Sequence, residues 1–460
     1  MRRRDFFRKG ALAATGAALV NPLNVSAFDK PSKKNKAKNV IFLVSDGMST
    51  GTLNMADLLL QQQFGKTSTW IQLYKDNRVK RALMDTASAN SLVTDSAAAS
   101  SSWGGGKRVN NGSLNIGPNG EEYKPILQKF KSAGKSVGCV TTVQITHATP
   151  AGFCVNSQSR GSMDEIADQY MKLRFDVMMG GGTEIFSADK RKDKRDMFSE
   201  YTSAGFQVAR SKAEMNKIKQ GAPVMAVFSE SGLPFTLDHQ QDARLKENIP
   251  TLAEMTLAAI NQMKGNPKGF ALQVEGGKVD WAAHSNDTGG LLYDQIAFDE
   301  AIKVAIDFAE ADKETLVIIT TDHGNANPGL FSGKNFDKIQ KFKHTNDWIL
   351  NGINVNTSVS QVIERIEYAQ GIVIKPQNAW SLLESYAGVE ENGIYNPKKL
   401  PFEKLAKIQS SHTSIGWASM DHSGDFVELA AFGPGSELLN SFVKNTDLHE
   451  LMLTATEVKS

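Results

Sequence analysis

Five short stretches of this sequence hold residue types that bind divalent cations or attack an electrophile. In VEGGKVDWAAH (274–284), Asp280 and His284 stand four residues apart, so on a helix they share one face and can hold one metal ion between them. A carboxylate with an imidazole suits zinc. Glu275 closes the apolar run ahead of them, and TTDHGNANPG (320–329) places Asp322 and His323 at the end of a very apolar segment. Burying two such groups there is costly without partners. Asp46 lies in SDGM and His422 in SMDHSG. In VTDSAAASSSW (93–103), Ser96 precedes a run of small helix formers. That puts it near a helix N-terminus, where free N–H groups favour an anion and a hydroxyl can attack phosphorus.

Singly, each has an ordinary reading. A serine before alanines is usually only a helix cap, a D-x-x-x-H pair is usually a solvated helix face, and an Asp-His or Asp-Gly is usually a turn. Together they supply enough ligands for two zinc ions and one magnesium, and a two-metal site holds its ions roughly 4 Å apart. That arrangement suits in-line phosphoryl displacement, one metal activating the nucleophile and the other stabilising the leaving oxygen.

The elements that must position these residues are legible as apolar runs: 39–48, 136–143, 176–181, 223–228, 270–277, 315–324 and 426–435, with helical patterns between most of them, such as 250–264 and 294–311. Strands alternating with helices predict an α/β fold with a mostly parallel central sheet covered on both faces. The polar candidates fall where strands end, as sites do in open α/β sheets. Residues 325–411 break this rhythm and read as an inserted cap or dimer-contact region, leaving 39–324 and 412–460 as the main domain.

With 460 residues, 40% of them hydrophobic, the chain can bury a large core. Residues 1–27 read as an export signal of twin-arginine type: RRRDFFRKG, then ALAATGAALV, then small residues at Ser26 and Ala27. This segment carries five basic residues against one acidic, so without it the formal charge of +2 becomes −2. Nothing in that balance points to nucleic acid. The ten-residue apolar stretch is half of the ~20 needed to span a bilayer, so no membrane span is expected in the mature chain. Residues 28–38 are a polar lead-in. The expected location is periplasmic or secreted. Cys139 and Cys154 lack metal-site spacing and are left as either a disulfide or two buried thiols. MMGGG (178–182) and the GGGKRVNNG loop read as turns, Trp103, His344 and His412 as structural, and His239 and His449 as surface residues.

The order SDGM, TDSAA, THATPAGF…SR, VEGGKVDWAAH, TTDHG and DHSG…AAFGPG resembles alkaline phosphatases over about residues 39–435. The resemblance implies the fold of that family, hydrolysis of small-molecule phosphate monoesters through a phosphoserine at Ser96, and usually a homodimer. It assigns Asp280, His284 and His422 to a first zinc at the leaving-group oxygen. Asp46, Asp322 and His323 go to a second zinc beside Ser96, and Asp46, Thr149 and Glu275 to magnesium. Arg160 matches the arginine that grips two phosphate oxygens. His147 and Trp281 stand where the enterobacterial pattern has Asp and Lys. They resemble the pair of some marine and cold-environment enzymes, which implies weaker phosphate binding and leaves the third metal as magnesium or zinc. An alkaline activity optimum follows, because ligand histidines must be deprotonated. The runner-up readings are a phosphodiesterase of the same superfamily and a non-catalytic phosphate- or zinc-binding protein. Ser96 and Arg160 argue against the first, and Ser96 against the second, since pure binding needs no activated nucleophile.

Overall fold

A computed structural model describes residues 36–391 and 394–459 of the chain. The export-signal reading (1–27) and nearly all of the lead-in lie outside the described residues. The apolar runs become strands of one ten-stranded sheet. Its members are β1 (Asn39–Val44), β2 (Lys80–Asp85), β3 (Ser136–Gln144), β4 (Val177–Gly181), β5 (Gln207–Ala209), β6 (Val224–Val227), β7 (Phe270–Glu275), β8 (Thr315–Thr320), β9 (Val427–Phe432) and β10 (Phe442–Lys444). Their order across the sheet is β10-β2-β9-β8-β1-β7-β3-β4-β6-β5. Only β9 runs against its neighbours, antiparallel to both β2 and β8.

The buried strands read as continuous apolar runs because both faces are covered. Alternate residues of β1 separate accordingly: Ile41 and Leu43 join the core on one face, and Val40, Phe42 and Val44 that on the other. In β8, Val317 and Ile319 take the first face, Leu316 and Ile318 the second. The period-2 geometry of a strand dictates this division. Strands β2, β5 and β10 escape the sequence reading. β2 is KRALMD with only Ala82 and Met84 buried, so it shows no long apolar run.

The segment between β8 and β9 carries helices Asn346–Asn351, Val359–Gln370, Pro376–Ser385 and Phe402–Thr413. Its apolar residues, among them Phe336, Ile349, Val362, Leu382 and Leu405, join the same core cluster as Ile41 and Leu43. It is therefore packed into the main body. Two small antiparallel pairings fasten its ends, Gly329–Leu330 with Ile415–Gly416 and Gly324–Asn325 with His422–Ser423.

Several local readings resolve here. Cys139 and Cys154 are neighbouring buried thiols with sulfurs 3.9 Å apart. Trp103 packs against Phe42 and Phe153. The histidines read as surface residues are buried instead. His239 Nε2 faces the Ile249 carbonyl at 3.0 Å, and His449 lies between the Trp103 carbonyl and Lys129 Nζ, at 2.8 and 2.9 Å. Each imidazole finds polar partners inside, which removes the penalty that favours exposure. His344 pairs with Asp238 at 2.9 Å and stacks on Trp348, as a structural residue would. Among the described residues no helix is long and apolar enough to cross a membrane.

Candidate metal centre and nucleophile

The sheet order places β8, β1, β7 and β3 side by side and parallel, so their carboxyl ends open on one edge. Glu275 is the last residue of β7, Asp46 lies two residues beyond β1, and Asp322 and His323 lie two and three residues beyond β8. Register sets their spacing: Val44 pairs with Glu275 on one side and Thr320 on the other, and Thr141 of β3 lies beside Glu275. The Thr141 hydroxyl donates to Glu275 Oε2 at 2.5 Å. After Asp46 the chain must turn sharply, and Gly47 does so at φ 66°. Its amide donates to Asp322 Oδ1 at 2.9 Å, and a Cβ there would come 2.5 Å from Asp280 Oδ1.

The helix Lys278–His284 starts three residues after β7 and puts Asp280 and His284 on one face, as their spacing predicts. His422 arrives from far along the chain because its two-residue strand pairs with Asn325. That pairing stacks its ring on His323, with centroids 3.7 Å apart. The ligand candidates form three groups: Asp280, His284 and His422; Asp46, Asp280 and His323; and Asp46, His147 and Glu275. Asp280 thus lies between the first two. Asp322 joins the second, its Oδ2 being 3.1 Å from His323 Nε2. Thr149 Oγ1 is 3.4 Å from Asp46 Oδ2, beside the third group. His147 therefore stands among the ligand candidates themselves.

All three inner histidines are oriented alike. His284 Nδ1 faces the Met420 carbonyl at 2.6 Å, His422 Nδ1 the Thr94 carbonyl at 3.0 Å, and His323 Nδ1 the Gly324 carbonyl at 3.3 Å. A carbonyl only accepts, so each Nδ1 carries the proton and each Nε2 turns a lone pair inward. Two of these, on His284 and His422, are 3.0 Å apart. Buried Asp46 Oδ1, Asp322 Oδ2 and Glu275 Oε1 have no hydrogen-bond donor. Facing lone pairs and donorless buried carboxylate oxygens are unfavourable alone. A divalent cation in each group satisfies them, so the residues fit metal ions.

The electrostatics agree. Burial, then the nearby Asp322, Asp280 and Glu275, push the Asp46 carboxyl well above its ordinary range. Burial moves Glu275 up to about 7. Burial would raise Asp322 too, but the adjoining His323 overrides it and holds that carboxyl low. His147 is driven down to about 3 by burial and then by Arg160. Burial likewise lowers His422.

Ser96 is the first residue of the helix Ser96–Gly104, buried, with its Oγ 3.4 Å from His323 Nε2. Asp95 caps that helix, Oδ1 accepting from the Ala98 amide at 2.9 Å. Its other oxygen accepts from Arg160 Nη1 and the Gly112 amide, each at 3.0 Å. The second arm of Arg160 reaches His147 Nε2 at 3.2 Å. The fork is thus held from behind, beside Ser96. Trp281 meets the His147 ring edge-on at 6.2 Å. Behind it the buried ammonium of Lys278 sits 4.6 Å from the Trp281 ring and 3.6 Å from that of Phe235.

Sequence reasoning misses three supporting residues. Asn325 Nδ2 donates to Asp280 Oδ1 at 2.7 Å, Thr141 holds Glu275, and Lys278 backs Trp281. The signal for Asn325 is its place in the Asp322-His323 motif. Thr141 is found only through strand register.

The alkaline phosphatase family model matches residues 37–458. Alkaline phosphatase 4 of Bacillus subtilis is 34% identical over 444 residues, covering 94% of this chain and 91% of that protein. The alkaline phosphatase of Escherichia coli K12 is 28% identical, with 95% and 88% covered. The crystal structure of Thermus thermophilus alkaline phosphatase superposes with a TM-score of 0.86 at 28% identity, with 96% of each chain covered. A buried serine at a helix start, three groups of candidate metal ligands at the strand ends, and a family match across nearly all described residues converge: the chain belongs to the alkaline phosphatase family and is a phosphatase.

Proposed function

We propose that the chain hydrolyses phosphate monoesters through a covalent phosphoserine at Ser96, with two zinc ions and one magnesium. Asp280, His284 and His422 would hold the first zinc, and Asp46, Asp322 and His323 the second. Asp46, Thr149 and Glu275 would hold magnesium, whose preference is for oxygen donors, with His147 beside them. Such ions supply charge neutralisation at the phosphoryl oxygens and lower the pKa of a hydroxyl next to them.

The chain's own part follows from the geometry. The helix start aims Ser96 Oγ into the ligand groups, and first-turn N–H groups lacking intrahelical partners favour the phosphoryl oxygens. Ser96 Oγ bonds to phosphorus as the bond to the ester oxygen breaks and the alcohol departs. Water then attacks the phosphoserine and frees phosphate and the Ser96 hydroxyl. Arg160, fixed by Asp95 and His147, offers guanidinium N–H groups to two phosphoryl oxygens. Asn325 and Thr141 keep Asp280 and Glu275 in place.

The observation that carries this reading is the convergence of inward Nε2 lone pairs and donorless carboxylate oxygens beside Ser96 Oγ. The test is p-nitrophenyl phosphate hydrolysis at about pH 9 by wild type and Ser96→Ala, with zinc and magnesium, before and after EDTA. Turnover abolished by EDTA and mostly lost in the variant is expected. Inert wild type with metals bound would overturn it. Export through the segment 1–27 to the periplasm, and a homodimer, belong to the same proposal and rest on sequence resemblance.

A further inference from the structure

The only two cysteines of the chain lie on the two backbone segments that carry the third ligand group. Cys139 is in β3, two residues before Thr141, whose hydroxyl holds Glu275. Cys154 is the last residue of the helix Ala148–Cys154, which follows His147 directly and has Thr149 in its first turn. Both thiols are fully buried, and their sulfurs stand 3.9 Å apart.

The same short helix supports the one that begins at Ser96. Ser100 Oγ donates to the Ala148 carbonyl at 3.0 Å. A Cβ on Gly104 would come 1.9 Å from the Gly152 carbonyl, and one on Gly152 would come 2.1 Å from Ser100 Oγ. The two helices therefore meet almost backbone to backbone. Any shift of Ala148–Cys154 against β3 displaces His147, Thr149 and the Ser96 helix together.

We propose that Cys139 and Cys154 are a cross-linking pair, which a small-molecule disulfide oxidises to one bridge that clamps the Ala148–Cys154 helix onto β3. One protein thiolate attacks the oxidant's S–S bond and expels one small thiol. The second protein thiolate attacks the protein sulfur of that mixed disulfide and expels the other. Two protein thiols thus become one S–S bond, and the oxidant's S–S bond is reduced to two thiols. Closing the gap to a bond of about 2.05 Å takes an approach of about 2 Å, shared between two side chains that turn about their Cα–Cβ bonds. The thiolate is the attacking form and an apolar interior disfavours it, so the bridge closes while the chain folds or opens locally and is then shielded. The loop it closes spans 15 residues. A cross-link of that length raises the Tm of a chain this size by about 3 °C.

The full chain, loaded with zinc and magnesium, is incubated with oxidised or with reduced glutathione, both in its folded state and during refolding from guanidinium. Each product is then unfolded, alkylated and weighed by mass spectrometry, so that an open pair gains two alkyl groups and a closed pair none. After oxidised glutathione the expected product is a monomer on a non-reducing gel, without alkyl groups, yielding a peptide that joins Cys139 to Cys154. Its Tm should lie about 3 °C above that of the reduced chain at equal metal loading. The comparison needs no variant; Cys154→Ala, whose Tm the oxidant should leave unchanged, is the control. Two alkyl groups after every treatment, glutathione retained on either sulfur, or a bridge between chains overturns the pair. A bridge that forms without raising Tm overturns the clamp.

Discussion

Metal removal should make the stability of this chain fall with rising pH, and Glu275 sets the scale of the effect. Its carboxyl is fully buried at the end of β7, and burial lifts it from 4.5 to about 7. A raised native pKa means that the folded protein keeps a proton that the unfolded chain has already lost between those values. The stabilisation is complete below about pH 4.5 and is lost as pH climbs through 7. At 1.36 kcal/mol per unit, Glu275 alone removes about 3 kcal/mol by pH 8. Asp46, shifted the same way, adds to this. His323, which burial would lower but which Asp322 raises on balance, also loses stabilisation as pH rises. Asp322 is shifted oppositely, so its contribution disappears only at strongly acid pH.

For a chain of this size the unfolding entropy is roughly 0.9 kcal/mol/K, so 3 kcal/mol is about 3 °C in Tm. Asp287 and Asp294, pushed up to about 7 by burial, titrate in the same window. They lie outside the ligand groups and act alike with and without metal. The measurement is therefore the gap in Tm between zinc- and magnesium-loaded and EDTA-treated protein. Cations require ionised carboxylates and neutral imidazoles, so they restore stability as pH rises. The gap should widen by at least about 3 °C from pH 5.5 to pH 8, and Glu275→Gln should flatten part of the fall in the EDTA-treated protein. A gap that stays level or narrows over that range would refute the reasoning.

Three substitutions probe the geometry. Arg160→Ala removes a fork held by Asp95 and His147, and should lower kcat/KM for a small monoester about 10- to 100-fold, as expected for a lost charge-assisted pair; steady-state kinetics checks it, and a change below threefold would deny Arg160 a grip on phosphate. Asn325→Ala leaves Asp280 Oδ1 without its 2.7 Å donor, and should weaken zinc binding about 10- to 100-fold in a chelator competition. Gly47→Ala forces a Cβ against Asp280 at positive φ, and should both lower Tm and cut metal stoichiometry, read by melting and metal analysis.

The sequence by itself determined the α/β class, because strands buried on both faces must be written as continuous apolar runs with helical periods between them. It also determined most of the site. Asp280 and His284 share a helix turn, Asp322 and His323 are adjacent, and Ser96 opens an alanine run, so local geometry alone relates the members of each motif. Tertiary structure decided what joins those motifs. His422 reaches His323 only because its short strand pairs with Asn325, almost a hundred residues earlier in the chain. Thr141 reaches Glu275 only because β3 and β7 are neighbours in register. The insertion 325–411 reads from its changed rhythm as a cap or dimer-contact region, and only the packed structure shows that its apolar residues join the core beneath β1. Burial of His239 and His449 was likewise invisible, since the carbonyls and the lysine that receive them come from distant or irregular backbone. Local periodicity specifies which face a residue occupies; only the packed sheet specifies what it meets there.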